Sequence, residues 1–343
     1  MSNNAAVRLD GYFDWNFGDD YMFKIVAHYL PDVDFHVNVR EEQVPALSGM
    51  HNVYFMSDME RKLPLLTVIG SGFMITGFRM LRYELSFFLR GRRAGDYCIG
   101  CNIEPFKTPL RAFLMQERLN KYRLITCRDR KSERWLRKHC KQPEIHYAPD
   151  ILFSMPDAWL SPKTEEGLLG IAALHRAKDG EDAQQYRTLA EMADLWVEET
   201  GKEVLLLAFD TGKEDDVFAC EAIKKKMAHP ENAHIIMHRD GTEILQAVSR
   251  CEKIICARFH AAVLALRMGI AFYPLHYRRK IRNMIQDLGC AQTGSDLDHM
   301  DKNGLRAFLT QPQQVHELSQ EILEGAKQHM RLLRAKIEKE GKL

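Results

Sequence analysis

The stretch EKIICARFHAAVLALRMGIAFYPLHYRRKIRNMIQDLG, residues 252–289, decides the fold. Lys253 to Cys256 is a short apolar run of strand length, and Ala271 to Tyr273 is a second. Between them Ala261 to Met268 is apolar nearly all round, so it reads as a buried helix. Strand, buried helix and strand make a βαβ unit, which belongs to a parallel sheet. Arg258 and His260 stand where the first strand stops and the helix begins, the end of a parallel sheet at which ligands bind. Polar groups at the mouth of so apolar a unit need a partner or a ligand. His260 can exchange a proton near neutral pH, whereas Arg258 keeps its charge. Tyr277, Arg278, Arg279 and Lys280 follow the next strand, and Lys280 is the candidate kept from that group.

The same alternation extends outward in both directions. Strands are expected at Ala6 to Leu9, Phe35 to Val37, Leu65 to Ile69, Tyr97 to Cys101, Leu124 to Cys127 and Ile145 to Tyr147, with helices at Tyr21 to Tyr29, Leu110 to Lys121 and Lys131 to Cys140. The segment SMPDAWLSPKTEEG, residues 154–167, interrupts the periodicity with two prolines and polar residues, as a linker does. Beyond it come strands at Leu168 to Leu174, Glu203 to Phe209 and His234 to Met237, and helices at Gln184 to Glu199, Asp215 to Met227 and Thr242 to Ser249. The expected fold class is therefore α/β, with two Rossmann-like domains, 1–160 and 161–343, facing a central cleft. Val315, Leu318, Ile322, Ala326, Met330, Leu333 and Ile337 recur at three or four residues, which predicts a C-terminal helix packing across both domains.

A chain of 343 residues suits two domains of ordinary size. With 48 Lys and Arg against 47 Asp and Glu, no basic surface for nucleic acid is implied. An anionic ligand must then be held by a few placed groups. The N-terminus lacks the pattern of a signal peptide, and no run of about 18 apolar residues occurs, so a soluble, cytoplasmic protein is expected. Cysteines sit among aliphatic residues, as small hydrophobes do in a reducing compartment. Cys98 and Cys101 form a C-x-x-C, but no second pair completes a metal site, and neither metal nor cofactor is expected. The basic end RLLRAKIEKEGKL, residues 331–343, is either a solvated helix terminus or a point of contact with an anionic membrane face.

Three further segments carry candidates. In VRLDGYFDWNFGDDYMFKIVAHYL, residues 7–30, a loop with Gly11 and Gly18 precedes a helix. Asn16 and Asp19 there are candidates for acceptor hydroxyls or proton transfer, helix capping being the alternative for Asp19. In LLTVIGSGFMITGFRML, residues 65–81, a strand ends at Gly70, Ser71 and Gly72, whose small size admits a ligand or a second backbone. In LITCRDRKSERWLRKHC, residues 124–140, Arg128 and Asp129 fall between strand and helix. Arg128 can fork onto a carboxylate or phosphate, or simply form an ion pair.

Together these segments resemble the polysaccharide pyruvyl transferase family, in the family's order. GYFDWNFGDD resembles its Gly-Asn-x-Gly-Asp opening, VIGSG its glycine turn and GCNIEPFKTPL its Gly-x-x-x-x-Pro segment. LITCRDRKS resembles its Arg-Asp-x-x-Ser element, YAPDILF its Pro-Asp-x-x-Phe element, and residues 256–289 its Arg-x-His helix, Gly-Ile turn and lysine. The resemblance implies a GT-B-like fold, phosphoenolpyruvate as donor, and a saccharide or lipid-linked oligosaccharide as acceptor. It maps the donor site onto Arg258, Phe259, His260 and Arg128, and the acceptor side onto Asn16, Asp19 and the turn at Gly70. Asp14 replaces a usual glycine and Ser71 interrupts the glycine run, which leaves the acceptor's identity open. The expected chemistry has two arginines hold the donor while His260 acts as general acid. The rivals are a nucleotide-sugar glycosyltransferase and a non-catalytic or redox-regulatory relative.

Overall fold

The computed structural model of the protein describes residues 5–55, 63–68, 96–103, 106, 108–291 and 294–339. The turn expected at Gly70, Ser71 and Gly72 lies outside the described residues. The chain forms two compact units. The first comprises Met1–Phe13, Asp19–Ser154 and Glu321–Leu343; the second comprises Asp14–Gly18 and Met155–Gln320.

The first unit holds a parallel sheet in the order β3-β2-β1-β4-β5-β6-β7. Its strands are β1 (Ala5–Asp10), β2 (Val33–Val37), β3 (Val53–Phe55), β4 (Leu65–Val68), β5 (Tyr97–Cys101), β6 (Leu124–Cys127) and β7 (Glu144–Tyr147). Every residue of β4, β5 and β6 is buried, which is why those strands read as continuous apolar runs, whereas β1 and β2 alternate. Helix α1 (Phe17–Tyr29) follows β1, α2 (Pro109–Leu119) follows β5 and α3 (Arg130–His139) follows β6. Thr108 and Asp129 cap the last two through hydrogen bonds to Arg111 and Ser132 amides.

The second unit repeats the plan with the order β10-β9-β8-β11-β12-β13. It contains β8 (Leu168–Ala172), α4 (Gln184–Thr200), β9 (Val204–Ala208), α5 (Asp216–Lys224), β10 (Ala233–Met237), α6 (Thr242–Ser249) and β11 (Cys251–Cys256). Then come α7 (Phe259–Arg267), β12 (Ala271–His276), α8 (Arg279–Leu288), β13 (Ser295–Asp296) and α9 (Lys302–Thr310). From Ala261 to Leu266 no residue of α7 exceeds 3% exposure. Burying a side chain such as Val263 or Leu264 stabilises by about 1.5–3 kcal/mol, so α7 is fixed by packing, and Leu264→Ala would cost about 2–5 kcal/mol.

The closing helix departs from expectation in two ways. It is two pieces, α10 (Gln320–Ala326) and α11 (Gln328–Lys339), and Val315 precedes both, packed into the second unit's core. Both pieces count with the first unit rather than with 161–343. The reason is local bonding. His329 joins Thr126 and the Pro149 carbonyl, Leu333 and Ile337 are buried, and Arg334 pairs with Asp32. Two more cations of the basic end also form ion pairs, Arg331 with Glu324 and Lys336 with Glu144. Among the described residues no helix is long and apolar enough to cross a membrane.

Candidate functional site

In the second unit the strand order reverses between β8 and β11, and such a switch point leaves a crevice at the carboxyl ends of the strands. His175 lies just beyond β8 and Arg258 just beyond β11. Asp216, at the start of α5, joins them. Its Oδ1 accepts the His175 amide at 3.1 Å and Arg258 Nη2 at 2.5 Å; its Oδ2 accepts the Asp210 amide at 3.0 Å and Arg258 Nε at 2.6 Å. Burial pushes this carboxyl's pKa up while Arg258 pulls it down. Four donors leave no place for a proton, so Asp216 is the ionised half of a bidentate pair. Burial alone would weaken the charge on Arg258, but Asp216 and Glu214 outweigh it and hold the guanidinium's pKa well above its ordinary value.

Glu214 is the second carboxylate on Arg258, reaching Nη1. Its side chain is 49% exposed, whereas that of Asp216 is 0% exposed. Asp210 accepts the amides of Gly212 and Glu214 and the side-chain amide of Asn16. Burial pushes its carboxyl up to about 6, against the pull of Arg258 and Asn16.

The segment Asp14–Gly18 runs along this loop and belongs to the second unit. Phe17 N–H donates to Phe209 O at 2.9 Å, Thr211 N–H to Trp15 O at 3.1 Å and Lys213 N–H to Asp14 Oδ2 at 3.1 Å. Trp15 is held at φ 54°, a region that a bulky residue enters only when its surroundings impose it. Two glycines permit the approach. A Cβ on Gly212 would lie 2.1 Å from the Asp14 carbonyl oxygen, and one on Gly18 would lie 1.5 Å from His260 Nδ1. The imidazole of His260, buried at the start of α7, therefore rests on the backbone of Gly18.

The first unit has its own arginine. Arg128 follows β6 directly and is buried; Nη1 donates to Asp150 Oδ2 at 2.8 Å and Nη2 to Asn102 Oδ1 at 3.2 Å. This pairing links two of the quoted sequence elements, LITCRDRKS and YAPDILF. Asp129 caps α3 through Ser132, whose hydroxyl accepts the Ile103 amide at 2.7 Å. Behind Asp150, His329 Nδ1 meets the Thr126 hydroxyl at 2.5 Å and Nε2 the Pro149 carbonyl at 2.8 Å. Burial pushes this imidazole down to about 4, so it is neutral, with Nε2–H donating to Pro149 and Nδ1 accepting from Thr126.

The candidates thus divide. Asn16, Arg258, Phe259, His260 and Lys280 belong to the second unit, and Asp19 and Arg128 to the first. Asn16 was expected on the acceptor side in the N-terminal half, but its amide is committed to Asp210 and its carbonyl oxygen accepts the Gly18 amide. Asp19 is buried in the first turn of α1. Asp210, Glu214 and Asp216 were not singled out in the sequence. Their signal was four acids, Asp215 included, within the seven residues Asp210–Asp216 that follow the apolar run VLLLAF. Cys98 and Cys101 are buried and unbridged; burial and then their mutual contact raise the Cys98 thiol well above its ordinary value, so it stays protonated.

A model of a protein family described as polysaccharide pyruvyl transferase matches residues 16–279, more than half of the chain. Among solved structures, UDP-GlcNAc 2-epimerase from Methanocaldococcus jannaschii superposes with a TM-score of 0.61 at 10% identity, over 96% of this chain and 99% of that one. The Neisseria meningitidis UDP-GlcNAc 2-epimerase, solved bound to UDP-GlcNAc, gives 0.62 at 10% identity, over 97% and 99%. These likenesses show the fold, two parallel-sheet α/β domains of the GT-B type.

Proposed function

Since the chain belongs to the polysaccharide pyruvyl transferase family, we propose that it transfers pyruvate from phosphoenolpyruvate, as a ketal, to two hydroxyls of a sugar in a polysaccharide or its lipid-linked precursor. The observation that carries this reading is Arg258 and His260 together at the switch point of the second sheet. Protonation of the donor's methylene turns it into a methyl group and leaves an oxocarbenium-like carbon. One sugar hydroxyl adds there, the carbon–oxygen bond to phosphate breaks, and the second hydroxyl closes the ketal. The hydroxyl protons balance the proton given to the methylene and the one leaving with phosphate or solvent.

In this reading Arg258 grips the donor's anionic end and His260 is the general acid, a role typically contributing about 10²- to 10⁴-fold in rate. Phe259 and Lys280 border the donor. Asp19 is the base for an acceptor hydroxyl, and the turn at Gly70, Ser71 and Gly72 is the acceptor side. Arg128, expected to share the grip on the donor, is instead proposed as a structural residue, because Asp150 and Asn102 already occupy its guanidinium. The reaction is assigned to the cytoplasm, at the inner membrane face when the acceptor is lipid-linked.

The test is His260→Ala, assayed for phosphate release from phosphoenolpyruvate with a panel of sugars and by mass for the ketal. Turnover should fall by at least about 10²-fold while phosphoenolpyruvate still shifts the melting temperature. An unchanged rate removes His260 from the mechanism. Melting-temperature gains with nucleoside diphosphates and none with phosphoenolpyruvate would instead select a nucleotide-sugar donor.

A further inference from the structure

Arg258 presents a difficulty for any anionic donor, because its charge is already matched by two carboxylates. The two are not equivalent. Asp216 is fully buried, makes a bidentate pair and holds two backbone amides besides; it has nowhere to go. Glu214 makes a single contact through Nη1 from a side chain that is about half in solvent, at 49% exposure.

The backbone beneath Glu214 is pinned, while its side chain reaches Arg258 from a half-exposed position. Asp210 holds the amides of Gly212 and Glu214, Asp14 holds that of Lys213, and Asp215 is locked at φ 45° as the cap of α5. The carboxylate therefore projects from a rigid base. Around it stand cations. Although burial raises the Glu214 pKa, Arg258 first, then Lys280 and Arg278, bring it below the ordinary value. A half-exposed carboxylate on a pinned loop thus sits on Nη1 of Arg258, in a place where the charges of Arg258, Lys280 and Arg278 favour an anion.

We propose that Glu214 is a stand-in for the donor's anionic group, displaced from Arg258 Nη1 when donor binds, so that Arg258 Nη1, Lys280 and Arg278 form the anion subsite. The site takes a carboxylate or phosphate of a small, multiply charged molecule. Identifying that molecule as phosphoenolpyruvate rests on the function proposed above; the subsite itself does not.

The experiment titrates the full chain and Glu214→Gln with inorganic phosphate and with phosphoenolpyruvate by calorimetry, each at two salt concentrations. Glutamine keeps an oxygen for Arg258 but no charge to defend its place. Both ligands should bind roughly tenfold tighter to Glu214→Gln, with the gain shrinking as salt rises, and the apparent KM for phosphoenolpyruvate should fall more than kcat changes. Glu214→Asp, whose carboxylate is shorter by one methylene, should lie between the two and guards against a folding defect in the amide variant. Unchanged or weaker phosphate binding in both variants overturns the proposal. Tighter phosphate binding with no turnover of phosphoenolpyruvate by any variant or the parent keeps the subsite and discards the donor assignment.

Discussion

Arg128 and Arg258 both stand just past a strand of a parallel sheet, one next to the sheet's edge and the other at its middle, and their surroundings differ in kind. Arg128 meets the carboxylate of Asp150 and the amide of Asn102, and the side chains of both Arg128 and Asp150 are at most 2% exposed. Arg258 meets one buried carboxylate and one exposed one. Each region also borrows a distant piece of chain. The first takes His329 from the closing helix, the second takes Asp14–Gly18 from the beginning. A strand-end arginine is thus no function by itself; what separates a structural pair from a binding group is whether a partner is able to leave.

The largest effect should come from Arg258→Ala. It strands Asp216 as an unpaired buried charge, costing about 3–5 kcal/mol, and removes the donor's anchor, so kcat/KM should drop by about 10³-fold or more. Urea unfolding and phosphate-release kinetics measure the two losses separately. Full activity in this variant would erase the contrast between the two arginines.

Arg128→Ala should destabilise by a similar 3–5 kcal/mol through Asp150, and paired replacements then sharpen the comparison. Arg128→Met with Asp150→Asn should recover most of the lost stability, since a buried ion pair exchanged whole for a neutral one is nearly neutral in energy. Arg258→Met with Asp216→Asn should recover less, because both Asp216 oxygens accept backbone amides and an asparagine must turn its NH2 group toward one of them. Activity should return only in the first double variant. Its failure to return there would move Arg128 into the chemistry.

Much of this contrast was invisible in the sequence. The central strands were legible because burial on both faces makes them continuously apolar, and α7 because it is apolar all round. Short edge elements were not: β3 and β13 span three and two residues. Helix α8 did carry a signal, Ile281, Met284 and Ile285, which the neighbouring cations obscured. Arg258 and His260 stood out because charge interrupted an apolar unit. Asp216 and Glu214 did not, because an acid before a helix looks like a cap until the arginine facing it, more than 40 positions away, is known. Periodicity reports which face of an element is buried, never which distant side chain it meets.

His329 gives a smaller effect and a sign. Its folded-state pKa of about 4 lies below the ordinary value near 6.5, so between those values the unfolded chain binds the proton and the folded one does not. Stability should therefore be whole above about pH 6.5, fall by about 3 kcal/mol as pH drops to about 4, and then level off in this component. His329→Gln, which offers the same donor and acceptor without titrating, should flatten that part of the profile. An unaltered profile would mean that the borrowed helix does not govern the Arg128 region.

The smallest effect tests the other borrowed piece. Gly18→Ala places a methyl carbon where the His260 ring now lies, with the nearest ring atom 1.5 Å away, so the imidazole must move or the segment must withdraw. Either displaces the proton donor by about an ångström, a misplacement that can cost about 10²-fold in rate, equivalent to about 2.7 kcal/mol of barrier. A double-mutant cycle identifies the cause. With His260 already replaced by alanine the methyl group has room, so adding Gly18→Ala should cost little more, and the two losses should be strongly non-additive. If they simply add, Gly18 acts through the backbone of its own segment, and the contact with His260 is incidental to catalysis.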